Sequence, residues 1–184
     1  MYAIVDITVV RFLMPPIIAG IFFAARIAEL TAKRRRIKGK IIDSKTLRYF
    51  VWLGFVVIIF SFLEYIIKQR SVDPFICISG IVGAIIAFRI RRGAIRALGE
   101  MWSLNVEIRD EHRLIRHGPY RWVRHPTYLS MIIELVSFCA IIDSWFALAI
   151  LMIPYLAVLL IRVRVEEASL IRASARKGRI SRKT

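Results

Sequence analysis

Five long apolar blocks, separated by segments alternately rich and poor in bases, constrain the fold of this chain more than any other feature. The blocks cover residues 2–30, 47–67, 74–88, 127–142 and 145–161. The second has about the 20 residues that a helix needs to cross a hydrocarbon core. The third continues as a basic helix, and only Asp143 and Ser144 separate the last two, which predicts a helical hairpin. The pattern predicts an all-α integral membrane protein with about five transmembrane helices.

The composition excludes the soluble alternatives. Hydrophobic residues make up 58% of the chain, and the mean hydropathy is +0.60, whereas ordinary soluble domains are about 45–50% apolar. The formal net charge is +16, but a soluble basic domain does not explain the hydropathy, and a disordered basic tail does not explain the apolar blocks. Because the bases flank apolar helices, topology and anionic lipid account for the charge, and no nucleic-acid partner is predicted.

The charge of the connecting segments orients the predicted helices. Seven bases and one acid lie between the first two blocks, nine arginines and four acids lie in 89–126, and eight bases and two acids follow from Arg162. By the positive-inside rule the N-terminus lies outside, and segment 89–126 and the C-terminus are cytoplasmic. We expect one membrane domain over 1–184, made of N-terminal spans (1–97), a core motif region (98–171) and a basic tail (172–184) that frays or lies on anionic headgroups.

The segment before the fourth block, His117–Tyr128, differs from the apolar helices and basic loops around it. Gly118-Pro119 is a turn signal, and Pro126 suits the first turn of the following helix because it lacks a backbone donor and has a fixed φ. Arg124 and His125 would then lie beside a helix N-terminus, where N–H groups hold a carboxylate or phosphate. The alternative is an aromatic and arginine belt at the membrane interface.

A second polar segment leaves the fifth block at Arg162–Glu167. Arg162 and Glu166 are spaced i,i+4 and could form an exposed ion pair of small energy where the helix enters water. The predicted hairpin favours another interpretation, because it returns the end of block five to the start of block four. One cavity would then be lined by Arg124, His125, Tyr128, Arg162, Glu166 and Glu167.

The order and spacing of these residues resembles the isoprenylcysteine carboxyl methyltransferase family, a group of integral-membrane methyltransferases related to phospholipid N-methyltransferases. The resemblance covers about residues 98–171, and residues 1–90 are similar only in being hydrophobic spans. It rests on Leu98-Gly99, Trp102-Ser103, His112, Leu114-Ile115, Gly118–Arg121, Val123–Tyr128, Arg162 and Glu166-Glu167.

The resemblance implies that S-adenosylmethionine is the cofactor, held in a cytoplasmic pocket with a lateral opening to lipid. The cofactor-binding residues that it implies are His117, Gly118, Tyr120, His125, Pro126, Tyr128, Glu166 and Glu167. Arg124 and Arg162 match arginines that hold the substrate carboxylate near the methyl group, and they are the predicted catalytic residues. The chain departs from the family pattern at Ser130, where glycine is usual, and after Glu167, where an FG..Y..Y run is usual. We therefore expect the lid over the cofactor to be missing or rebuilt.

The predicted acceptor is a lipophilic or prenylated molecule in the membrane, with an isoprenylcysteine-like carboxylate as the leading class. A carboxylate is ionised at neutral pH and needs an arginine to position it for in-line transfer, not a base. An amine acceptor, as on phosphatidylethanolamine, must first lose a proton, and His125 and Glu134 are the candidate bases. Glu134 lies in the middle of block four on the side of Ser130, and the alternative is that it pairs with Arg11 or Arg26.

Other interpretations of the same residues stay open. A phospholipid N-methyltransferase is the nearest, and a non-catalytic membrane scaffold is favoured by the departure after Glu167. Sterol reductases resemble this architecture and bind a nicotinamide, but no GxGxxG motif occurs here. Cys77 and Cys139 lie in apolar blocks without CxxC spacing, which predicts packing residues and no metal site. Membrane lipids are the other expected partners.

Overall fold

The structure is a computed structural model that describes residues 7–31, 40–43, 45–69, 72–103, 106–108 and 117–181. Its five helices are α1 (Ile7–Thr31), α2 (Lys45–Lys68), α3 (Pro74–Leu98), α4 (Pro126–Ile141) and α5 (Trp145–Ser181). The predicted all-α class and C-terminal hairpin are confirmed. His112 and Leu114-Ile115, which carry part of the family resemblance, lie outside the described residues.

Two short strands accompany the helices and were not predicted. β1 (Lys40–Asp43) follows α1, and β2 (Val106–Ile108) follows α3, and the two pair antiparallel. Residues from the two basic connections therefore meet. This agrees with the prediction that both connections lie on the same side of the membrane, although the orientation of the termini stays a prediction.

Four of the five helices are long and apolar enough to cross a bilayer, namely α1, α2, α3 and α5. α4 has 16 residues, so it is about 24 Å long at 1.5 Å per residue, and a turn at Ile142–Ser144 joins it to α5. α5 is longer than its apolar block, because it continues without interruption to Ser181. Residues 172–181 of the tail are therefore helical rather than frayed, and the other alternative, that the tail lies on anionic headgroups, stays a prediction.

Small residues let α3 and α4 approach closely, and these two helices make the most extensive contact among the elements that the structure describes. A Cβ atom on Gly80 would lie 2.8 Å from the backbone nitrogen of Ile141, and one on Gly83 would lie 2.4 Å from the Ser137 hydroxyl. In lipid, helix association depends on such close packing, since apolar side chains gain nothing by leaving the hydrocarbon. The close packing of α4 on α3 therefore positions the start of α4.

The opposite end of the hairpin is fixed by a side chain from α2. The Glu64 carboxylate accepts hydrogen bonds from the backbone N–H groups of Phe146 (3.2 Å) and Ala147 (2.8 Å), so it caps the first turn of α5. Lys68 pairs with Glu64 at 2.7 Å and donates to the Asp143 carbonyl at 2.7 Å. These contacts hold α2 and α5 together at the end that is far from the predicted site.

Two apolar clusters complete the interior. One joins α2, α4 and α5 through Phe50, Leu135 and Tyr155, and the other joins α1 to α2, α3 and α4 through Ala19, Tyr65 and Ile141. Cys139 is fully buried in the first cluster and Cys77 is half-buried beside the second, and neither forms a disulfide. The prediction that both are packing residues is confirmed.

Candidate active site

The site begins at the turn before α4, which is docked on the end of α3. Gly118 adopts a positive φ of 61°, which L side chains rarely do, and residues Gly118–Arg121 form one 3₁₀ turn. Pro119 packs so closely on Gly93 that a Cβ atom there would lie 2.9 Å from its ring. The turn signal in the sequence thus fixes where the chain enters α4 at Pro126.

The hairpin brings the two polar segments together, as predicted. The Nε2 atom of His125 lies 3.0 Å from the Oε1 atom of Glu167, and the Tyr128 hydroxyl donates to the Oε2 atom of Glu166 at 2.6 Å. We call this region, residues 117–128 with 162–167, the mouth of the hairpin. Each of the two adjacent glutamates of α5 is thereby bound by one residue at the start of α4.

Arg162 belongs to the same cluster and is buried, with only 5% of its surface exposed. Its Nη1 atom lies 3.5 Å from the hydroxyl oxygen of Thr46 at the start of α2, and it also interacts with Tyr128. The alternative of an exposed Arg162–Glu166 ion pair is therefore wrong, because Arg162 is buried and Glu166 bonds to Tyr128. The contribution of Thr46 was not predicted, since nothing in a basic connection distinguishes one threonine.

Arg124 and His117 are placed differently from the rest of the predicted site. Both side chains are exposed, and neither forms a hydrogen bond or ion pair with any residue that the structure describes. The two predicted catalytic arginines therefore differ, since Arg162 is fixed inside the mouth and Arg124 stands at its rim.

Donor groups at the start of α4 complete the mouth. The first helical N–H bond runs from Leu129 to the His125 carbonyl at 3.1 Å, and the His125 side chain does not cap the helix. The N–H groups of Thr127 and Tyr128 therefore have no helical acceptor, as at any helix start. They add a partial positive charge beside the carboxylates of α5.

Tyr120 closes one side of the mouth and bonds to Thr127. Burial raises the pKa of the Tyr120 phenol, the hydrogen bond with Thr127 opposes that shift, and the Glu166 carboxylate adds to it. The hydroxyl keeps its proton at neutral pH and serves as a hydrogen-bonding group. Ser130, where the family has glycine, is fully buried, and its hydroxyl donates to the Thr127 carbonyl at 2.7 Å.

A second polar group, which we call the buried ion cluster, consists of Arg26, Glu29, Arg91 and Glu134. Arg91 lies 2.6 Å from Glu29 and hydrogen-bonds Glu134, and only 2% of its side chain is exposed. The alternative that Glu134 pairs with Arg26 is confirmed, at 3.6 Å, while the Arg11 side chain lies outside the described residues.

The sequence held a signal for Arg91 that was missed. Arg91 continues the heptad-spaced line of buried small residues on α3, Gly80, Ala84, Ala87 and Ala94. A base on the face of a helix that packs against another helix needs an acidic partner there. Glu134, on the facing side of α4, is that partner.

A cavity of about 270 Å³ lies among the five helices beside the buried ion cluster. Its wall is apolar apart from Arg26, Arg91 and Glu134, with Phe50 and Tyr155 among the larger lining side chains. It reaches Leu47 on α2, the residue after the Thr46 that contacts Arg162. The cavity wall therefore includes the chain neighbour of a residue that contacts Arg162.

Comparison with known proteins covers the same part of the chain. Residues 79–172, just over half of the chain, match the isoprenylcysteine carboxyl methyltransferase (ICMT) family. YpbQ, an uncharacterized Bacillus subtilis (strain 168) protein, is 27% identical over 92 residues, which are 50% of this chain and 55% of YpbQ. An uncharacterized Haemophilus influenzae protein is 28% identical over 92 residues, 50% of this chain and 54% of its own length.

Because both relatives are uncharacterized, they indicate no activity for this chain. The chain spans about half the length of each. The family match is more informative, because it starts on α3 and ends beyond the acidic pair of α5. It therefore contains every residue of the mouth, although not Thr46, which contacts Arg162 from α2. This membrane protein belongs to the isoprenylcysteine carboxyl methyltransferase family.

Proposed function

We propose that this protein is an S-adenosylmethionine-dependent methyltransferase that acts on a lipophilic acceptor at the mouth of the hairpin, most specifically on an isoprenylcysteine-like carboxylate. The observation that carries the proposal is the pair of bonds His125–Glu167 and Tyr128–Glu166. They bring the two polar segments of the family match into one site. The mouth and the C-terminus would lie on the cytoplasmic side.

The residues of the mouth fit the charges of S-adenosylmethionine. The carboxylates of Glu166 and Glu167 suit its ammonium group or ribose hydroxyls, and the uncapped start of α4 suits its carboxylate. The other predicted cofactor residues belong to the segment of the mouth that leads into α4. They are His117, Gly118, Tyr120, His125, Pro126 and Tyr128. When bound, the cofactor supplies a methyl group already activated by its sulfonium.

Arg162 is the residue that we assign to the acceptor. It is buried, it is oriented by Thr46 and Tyr128, and its planar guanidinium suits a carboxylate. Because a carboxylate is already ionised, the protein needs only to align it and exclude water. Arg124 at the rim would draw the anion in from the interface.

The buried ion cluster weighs against N-methylation of an amine. A base must be able to take up a proton from the amine, but Glu134 is bonded to Arg91 and close to Arg26. Both arginines hold Glu134 inside the helix bundle, six residues after Tyr128 on α4 and so away from the mouth. Of the two candidate bases, only His125 is at the mouth.

Cofactor binding is tested with labelled S-adenosylhomocysteine and protein in lipid nanodiscs. Glu166→Gln and Glu167→Gln should each weaken binding about tenfold, since a hydrogen bond to a charged group is worth about 1.5–3 kcal/mol. Glu100→Gln, an exposed change outside the mouth, is the matched control. Binding that is unchanged in all three variants would contradict the proposed cofactor site.

Acceptor chemistry is tested with methyl-labelled S-adenosylmethionine and membranes that contain the protein, a prenylated cysteine and phosphatidylethanolamine. We expect label that alkali releases as methanol, the signature of a methyl ester. Arg162→Lys should lower the rate about 100-fold, because misplacement of the carboxylate by about 1 Å has that effect, while Arg92→Lys, an exposed change on α3 outside the mouth, should not. Label that stays in phospholipid would instead identify N-methylation, and no label with wild type and Arg162→Lys alike would identify a non-catalytic scaffold.

A further inference from the structure

The four residues of the buried ion cluster are unequally paired. Arg91 is bonded to both glutamates and almost fully covered. Arg26 lies 3.4 Å from Glu29 and 3.6 Å from Glu134, and 14% of its side chain is exposed. Because a guanidinium has five N–H donors, Arg26 keeps donors that these two long contacts do not use. Arg91 thus fixes the helices, whereas Arg26 is available to another molecule.

Glu134 has the complementary property. Its hydrogen bond from Arg91 and its contact with Arg26 both end on Oε2. Among the residues that the structure describes, none bonds its other carboxylate oxygen, Oε1. About 30% of the Glu134 side chain is exposed, and Glu134 and Arg26 both line the cavity. The cavity wall therefore offers one strong acceptor beside unused donors, surrounded by apolar side chains.

The net charge of the cluster restricts what can use these groups. Two arginines and two glutamates sum to zero. A charged ligand group would therefore leave a net charge inside the membrane, which costs several kcal/mol even after relaxation. A plain hydrocarbon or prenyl chain would leave the Glu134 oxygen facing apolar atoms without a hydrogen bond, which is also unfavourable. An uncharged group that both donates and accepts, such as a hydroxyl or an amide, satisfies both requirements.

We propose that the cavity binds a lipophilic molecule through an uncharged hydroxyl or amide group, which donates to Glu134 and accepts from Arg26. The apolar part of that molecule lies against Phe50 and Tyr155 and their neighbours. Resting on the proposed function, we identify this molecule as the methyl acceptor, because Leu47 lines the cavity and the adjacent Thr46 contacts Arg162. This narrows the isoprenylcysteine-like class to carboxylates whose apolar chain carries an uncharged hydroxyl or amide group. Glu134 lies six residues after Tyr128 on α4, an axial rise of about 9 Å from that residue of the mouth.

Photo-cross-linking tests the preference without any methyl transfer. Purified protein in nanodiscs, with no cofactor, is labelled by probes of one 12-carbon chain with a central diazirine. The chain ends in a hydroxyl, a methyl, a sulfonate or a trimethylammonium group. We expect the alcohol to label peptides of α1 and α4 that line the cavity at least about fivefold more than the other three probes.

Changing the charge of the cluster should change the preferred probe. Glu134→Gln makes the cluster positive, so the sulfonate should label the cavity more than the alcohol does. Arg26→Gln makes it negative and should favour the trimethylammonium probe, which provides a second variant if the first does not fold. Glu100→Gln, exposed and outside the cavity, should keep the wild-type order. Equal labelling by alcohol and hydrocarbon, or an order unchanged by both cluster variants, would overturn the proposal.

The two proposals fail in different ways. Probe labelling with the expected order but no transfer of labelled methyl would leave the cavity assignment standing and reject the methyltransferase. Transfer of methyl to a carboxylate with no preference among the probes would support the methyltransferase and reject the cavity assignment.

Discussion

The mouth of the hairpin and the buried ion cluster contain the same kinds of residue but use them differently. At the mouth each glutamate has one partner on α4, and Glu167 is 48% exposed. In the cluster, Arg91 bridges glutamates from two helices and is excluded from water. Access to water decides whether such a pair binds a ligand or fixes helices. A solvated pair can exchange its partner for a ligand at little cost. A pair excluded from water is costly to break, so it fixes the helices that carry it.

The largest effect should come from removing the residue that holds the cluster together. Arg91→Met leaves two carboxylates with Arg26 alone, and we expect a loss of about 3–5 kcal/mol in the free energy of unfolding. Unfolding in mixed detergent micelles, followed by tryptophan fluorescence, measures it.

Arg92→Met is the control for this change, because Arg92 is the next residue on α3 but is exposed, with its guanidinium over the ring of Phe88. Its loss should stay below about 1 kcal/mol. If the two variants were equally stable, water would have to reach the cluster, and the contrast with the mouth would disappear.

A methyl group at the α3–α4 interface should have the next largest effect. Gly80→Ala places a Cβ atom 2.8 Å from the backbone of α4, and pushing the helices apart should cost about 1–3 kcal/mol of unfolding free energy. It should also loosen the bond between Arg91 and Glu134. Gly54→Ala, on α2 with nothing within 4 Å of the added atom, should be neutral or slightly stabilising, and an equal loss there would locate the strain elsewhere.

At the mouth, the half-buried pair should be more strongly coupled than the exposed pair. A double-mutant cycle with Tyr128→Phe and Glu166→Gln should give about 1–2 kcal/mol of coupling in the free energy of unfolding. The result to compare it with is the same cycle for His125→Gln and Glu167→Gln. A larger coupling energy for His125 and Glu167 than for Tyr128 and Glu166 would contradict the order of burial seen in the structure.

The smallest effect should be the coupling between His125 and Glu167. For a pair this exposed we expect about 0.2–1 kcal/mol, and raising the salt from 0.1 to 1 M should abolish it, since the Debye length falls from about 10 to 3 Å. The Arg91→Met loss should not change over that range. If salt changed both the His125–Glu167 coupling and the Arg91→Met loss of unfolding free energy, water would have to reach both regions.

The same contrast explains what the sequence could predict. The turn signal before α4 and the two-residue connection between α4 and α5 are both local sequence features. Together they were enough to predict that Tyr128 and Glu166 lie in one site. Arg91, Glu29 and Glu134 come from three helices with no short connection among them, and their pairing depends on how α1 and α3 pack. The length of the apolar block gave the span of α5 but not its continuation to Ser181.

Two further contacts were out of reach for a related reason. Glu64 pairs with Lys68 on the next turn of α2, but it also caps α5, and only the packing of α2 on α5 creates that second role. The strand pairing of Lys40–Asp43 with Val106–Ile108 joins segments that are more than 60 residues apart and too short to show an alternating pattern.

The shortness of α4 has a consequence for the surrounding bilayer. Its length of about 24 Å is less than the hydrocarbon thickness of about 30 Å that its neighbours cross. Such a mismatch is relieved when the leaflet thins locally or when the end of the helix sinks below the headgroups. In either case the start of α4 lies close to the boundary between headgroups and acyl chains, which a lipophilic molecule reaches by lateral diffusion within the leaflet.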